Sequence, residues 1–96
     1  MELLVTYDIE SVSPEGAARL RRVAKICEGH GYRVQKSVFE ITCTTPDRLR
    51  LEAALAQAIK PGTDSVRIYP LDGGTLRAAR HLGRAVDPPH DAPLIL

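Results

Sequence analysis

The stretch YRVQKSVFEITC, Tyr32 to Cys43, decides the fold. It is rich in β-branched and aromatic residues, as strands are, but its alternation changes phase. Tyr32 and Val34 put the apolar row on even positions, whereas Phe39, Ile41 and Cys43 put it on odd ones. Strand side chains alternate strictly between two faces, so one uninterrupted strand cannot hold both rows. A bulge or a tight reversal between Gln35 and Val38 is required. We read two strands joined there.

Upstream, Gly29-His30-Gly31 stops a helix, because glycine can take the left-handed conformation that follows a helix end. His30 reads as a C-terminal cap. The helix begins where Ser13 can cap it and Pro14 suits its first position, and it runs to about Glu28. Leu20, Val23, Ala24 and Cys27, extended by Ala17, form its buried stripe. Before it, LLVTYDI, Leu3 to Ile9, alternates as a strand with Leu3, Val5, Tyr7 and Ile9 on the core face. Asp8 therefore lies on the opposite face. Downstream, Thr45 and Pro46 cap a second helix with the stripe Leu51, Leu55, Ala58 and Ile59, closed by Pro61-Gly62. SVRIYPL, Ser65 to Leu71, is the last strand.

The order strand, helix, strand, strand, helix, strand predicts an α+β, ferredoxin-like βαββαβ domain over residues 1–72. Right-handed crossovers put both helices on one face of a four-stranded antiparallel sheet and leave the other face open. The first strand is then central. Asp8 projects from its end onto the uncovered face, where small domains of this architecture commonly dimerise. Residues 73–96 are a C-terminal extension: a linker at Asp72-Gly73-Gly74, a basic and helical stretch from Thr75 to Arg84, a stiff turn at Asp87-Pro88-Pro89, and a terminal apolar APLIL. That end is expected to add as a short strand to a sheet edge, its own or a partner's.

A chain of 96 residues makes one domain whose small core favours an oligomer. No apolar run has the length of a membrane span, and the chain is expected to be cytoplasmic, with no membrane partner. Cys27 and Cys43 lack CxxC spacing and nearby histidines, and read as structural thiols.

The net charge of +1 points to no partner class, but the charges are unevenly placed. Arg19, Arg21, Arg22, Lys25, Arg33 and Lys36 face a single acid, Glu28, between positions 19 and 36, and Arg77, Arg80 and Arg84 form a second basic group. Arg21 and Lys25, four apart on a helix, repel, so helix stability does not explain them. These cations are candidates for phosphate contact, against a plainly solvated face in which Lys25 pairs with Glu28.

YDI at 7–9, RLRRVAKICEGHG at 19–31, RVQKSVFE at 33–40 and DSVRIYPL at 64–71 resemble the CRISPR-associated Cas-two family of adaptation proteins. The resemblance spans about three quarters of the chain in the right order. PLIL also resembles members whose C-terminal strand reaches the other subunit. Lys36 departs from the family pattern, where asparagine or tyrosine is expected. The resemblance implies a symmetric homodimer that sits between two dimers of the CRISPR integrase and holds a short double-stranded DNA destined to become a spacer. It also implies a magnesium-dependent endonuclease cutting double-stranded DNA or RNA, with Asp8 as metal ligand.

One carboxylate holds Mg2+ poorly, so a two-fold axis beside Asp8 would let two copies share one ion, with Arg22 or Arg33 steadying the developing charge as further catalytic residues. The plain alternative is that Asp8 accepts backbone amides of the following loop. Tyr7 and Phe39 are expected in the core or interface, and Ser37 in a turn rather than as a nucleophile. A small ligand-sensing ferredoxin-like module is a third reading, disfavoured because no glycine-rich effector loop is present.

Overall fold

The computed structural model of the chain describes residues 1–84, and in it the Tyr32–Cys43 stretch forms two strands. The elements run β1 (Glu2–Asp8), α1 (Pro14–Glu28), β2 (Gly31–Gln35), β3 (Val38–Thr42), α2 (Thr45–Ala58), β4 (Ser65–Leu71) and a short α3 (Thr75–Ala78). The reversal falls in the expected interval, at Lys36-Ser37, whereas the β2–β3 register shift lies upstream of it, between Arg33 and Gln35. The sheet is antiparallel in the order β2-β3-β1-β4, with β1 central.

One core cluster joins Leu3, Val5, Tyr7 and Ile9 of the odd row to Val23, Ala24 and Cys27 of α1, Phe39 and Ile41 of β3, and Leu51, Leu55 and Ala58 of α2. Both helices therefore cover the odd face of β1. The even face carries Leu4 between Glu40 and Tyr69, Thr6 between Val38 and Arg67, and Asp8 opposite Ser65. At its other end Glu2 accepts the amides of Gly74 and Leu76 at 2.9 and 2.8 Å, anchoring the start of α3.

Four local expectations change. Tyr32 is 46% exposed, because β2 is an edge strand whose odd residues, Gly31 and Arg33, register against Ile41 and Phe39 on the covered face. Gly29 ends α1 in the right-handed region, φ −69°, so no left-handed glycine closes the helix. Gly31 serves close approach instead, since a Cβ there would meet the Glu40 carbonyl and Ile41. Thr44, not Thr45, caps α2 by accepting the Asp47 amide at 3.2 Å. The Thr75–Arg84 helix shortens to Thr75–Ala78 because the backbone turns extended at Ala79.

Ser13 caps α1 as expected, and the His30 Nδ1 donates to the Ile26 carbonyl at 2.9 Å. Cys27 is fully buried, and burial pushes its thiol up to about 11, which suits an inert structural thiol. The expected turn at Asp87-Pro88-Pro89 and the terminal strand at residues 92–96 lie outside the described residues. Among the described residues no helix is long and apolar enough to cross a membrane.

Candidate functional site

Strand parity aims Asp8 away from the core, and the structure leaves it exposed. Among the described residues its carboxylate has no hydrogen bond and no ion pair. The loop-bracing role considered for it belongs to Glu10, which accepts the amides of Val12 and Ser13 at 2.7 and 2.9 Å and the Ser13 hydroxyl at 2.9 Å. These bonds from Ser13 hold the Glu10 carboxyl below its ordinary value.

Asp64 is the opposite case, with a side chain of 0% exposure. Its carboxylate accepts Arg19 Nε at 2.7 Å and Nη2 at 3.4 Å, the amides of Lys60 and Glu10 at 2.9 and 3.1 Å, and the Thr63 hydroxyl at 3.2 Å. The Arg19 guanidinium holds this carboxyl far below the usual range, against the opposing push of burial. Arg19 also lies 3.5 Å from Glu10. Among the cations expected to contact phosphate, Arg19 therefore differs in having Nε and Nη2 engaged inside the fold.

Arg33 lies over the Phe39 ring at 5.2 Å, 3.5 Å from the Tyr7 hydroxyl and 3.8 Å from Glu28. It sits on the covered face, and Arg22 is in the helix layer on that same side. Asp8 is on the other face. Within one chain, then, Asp8, Arg22 and Arg33 do not converge, because strand parity separates them. Tyr7 and Phe39 stack with centroids 6.1 Å apart and are buried, as core residues. Ser37 lies in the β2–β3 turn, where its carbonyl accepts the Tyr7 amide at 3.1 Å.

Arg21, Arg22 and Lys25 are exposed on α1 and, with Ile26, line a shallow surface groove. No carboxylate pairs with these three among the described residues, and Glu28 turns to Arg33 rather than to Lys25. The arginines of α2 differ: Arg48 and Arg50 pair with Glu52 and Asp47, each at 3.0 Å. Lys36, Arg77, Arg80 and Arg84 are exposed.

Sequence reasoning missed two residues. Arg67 is on the face that carries Asp8, registered against Thr6, its guanidinium 5.4 Å from the Tyr69 ring. Parity along β4 would have placed it there once the pairing with β1 was known. The role of Asp64 was hidden because, beside its local partners Lys60 and Thr63, it binds Glu10 and Arg19, 54 and 45 positions away.

Among the described residues no group of three or more His, Cys, Asp or Glu side chains could hold a metal ion. Asp8 offers a single unengaged carboxylate, a hard oxygen donor of the kind Mg2+ takes beside water and substrate phosphate. A second protein carboxylate would have to come from another copy.

Residues 1–79 match the family described as CRISPR associated protein Cas2. A relative from Rhodospirillum rubrum, named CRISPR-associated endoribonuclease Cas2 3, is 43% identical over 94 residues, covering 98% of this chain and 99% of its own. One from Halalkalibacterium halodurans, named CRISPR-associated endonuclease Cas2, is 38% identical over 95 residues, covering 99% of each chain. The crystal structure of Streptococcus pyogenes Cas2 at pH 6.5 superposes with a TM-score of 0.77 at 43% identity, covering 86% of this chain and 100% of that one.

Proposed function

Because the chain belongs to the CRISPR-associated protein Cas2 family, we propose that it works as a homodimer that holds duplex DNA by its backbone during spacer acquisition, bridging integrase dimers. The observation that carries this reading is the exposed trio Arg21, Arg22 and Lys25, which no carboxylate neutralises among the described residues. Cations in such a row release counterions from a duplex whatever its sequence, and Lys36, Arg77, Arg80 and Arg84 extend the positive surface. The open sheet face supplies the dimer contact. Arg21→Glu combined with Lys25→Glu should weaken duplex binding by roughly tenfold or more near physiological salt and flatten its salt dependence. Unaltered capture, or capture without integrase recruitment in a reconstituted mixture, counts against the bridging role.

A second reading is favoured by the exposure of Asp8 and by the names of the relatives, endoribonuclease and endonuclease. Two Asp8 carboxylates meeting across a dimer axis would hold one magnesium ion. Such an ion supplies a more acidic water and neutralises phosphate charge. In this reading Asp8 would hold the ion through its free oxygens, while the α1 cations would bind the nucleic-acid backbone outside. Pure protein should then cut DNA or RNA only with magnesium, and Asp8→Asn should abolish cutting while leaving the fold intact. Activity that survives Asp8→Asn would belong to a contaminant.

A further inference from the structure

The end of the sheet that presents Asp8 is fastened by a second, buried carboxylate. Asp64 immediately precedes Ser65, the direct cross-strand partner of Asp8. Its carboxylate reaches over to the amide of Glu10, two residues beyond Asp8, at 3.1 Å. One buried side chain thus ties the exit of β1 to the entry of β4 on either side of Asp8. Arg19 anchors that carboxylate to α1 at 2.7 Å and also approaches Glu10 at 3.5 Å. The first turn of α1 closes on the same place, for a Cβ at Gly16 would strike the Glu10 carbonyl. Ile9, between the two acids, is buried in the core. The backbone around Asp8 is therefore held from the core, from α1 and from β4, while the side chain stays free.

We infer that Asp64 and Arg19 are positioning residues for Asp8, a buried pair that fixes the end of β1 so that the carboxylate occupies one place on the open face. The inference rests on the second reading above, in which Asp8 binds a divalent ion. Two carboxylates that must meet the same ion across a dimer axis tolerate little wandering, because ligand affinity depends on orientation set by the surrounding bonds. A merely stabilising pair would have no such effect on the ion.

The test uses the whole 96-residue chain, manganous ion as the probe and Arg19→Lys as the variant, since lysine keeps the charge but not the two-pronged grip on Asp64. At a temperature where circular dichroism shows both proteins folded, Mn2+ affinity should fall about tenfold. Duplex DNA affinity should be unchanged, because Arg21, Arg22 and Lys25 are untouched, and nuclease turnover should fall without a change in KM. Mn2+ affinity within twofold of the parent protein overturns the inference. Absence of any Asp8-dependent Mn2+ binding in the parent protein instead overturns the metal reading, and the inference with it. If Arg19→Lys does not fold, native-state hydrogen exchange of the parent decides: the amides of Glu10 and Lys60 should open together with those at the β1 exit, and independent opening refutes the tie.

Discussion

Asp8 and Asp64 stand at the same end of the sheet, one position out of register with each other, and their surroundings are opposite. Asp8 faces solvent on the open side of β1 with no partner among the described residues. Asp64 is buried and accepts bonds from four residues: Arg19, Glu10, Lys60 and Thr63. A buried carboxylate persists only where its lone pairs are met, whereas an exposed one needs nothing from the fold. The difference separates two uses of the same chemistry. Asp64 spends its oxygens on holding the chain, and those of Asp8 are left unused by the fold.

The sharpest way to break this comparison is to delete each acid in turn. Asp64→Ala strands the Arg19 guanidinium and two backbone amides, and should lower the melting temperature by on the order of 10 °C. Asp8→Ala should move it by less than about 2 °C, as surface substitutions usually do. Equal losses in thermal melts followed by circular dichroism would erase the distinction.

A smaller effect is expected from Gly16→Ala. Its methyl group would press on the Glu10 carbonyl, so α1 must shift, at a cost of roughly 1–3 kcal/mol in denaturant unfolding. No cost would mean that the β1 exit is not braced by the helix.

Acidification probes the buried side, where the Asp64 and Glu10 carboxyls are both held low. The folded protein holds the Asp64 carboxyl below its unfolded value, so its contribution is whole above about pH 4 and is lost as pH falls toward the lower folded value. Unfolding free energies measured from pH 5 downward should therefore decline more steeply for the parent than for Asp64→Asn. Parallel curves would show that the Arg19 pairing is not coupled to folding.

The smallest effect belongs to the far end of β1. Glu2→Ala removes the acceptor of the Gly74 and Leu76 amides and should cost about 1 kcal/mol, with faster hydrogen exchange confined to those amides. Exchange spreading to Glu10 would mean that the two ends of β1 are not independent.

Much of the fold was legible because its signals are local. The phase break between Gln35 and Val38 separates two strands, Ser13-Pro14 starts α1, and alternation along Leu3–Ile9 puts Asp8 opposite the core. Tyr32 misled because an apolar residue on an edge strand can face the uncovered side as readily as the core. Gly29 and Gly31 misled because glycine's need for space and its tolerance of positive φ look identical in a sequence.

What the sequence determined unaided is the order of elements, the parity of β1 and β3 and the basic character of α1, because period and side-chain type are properties of neighbouring residues. Which charges remain free was decided only by the tertiary structure. Arg19 and Arg22 are three apart on one helix, yet one is locked against Asp64 and the other is open to solvent. The physical reason is that an ion pair depends on what the fold brings within hydrogen-bond distance, and the partner of Arg19 is 45 residues away.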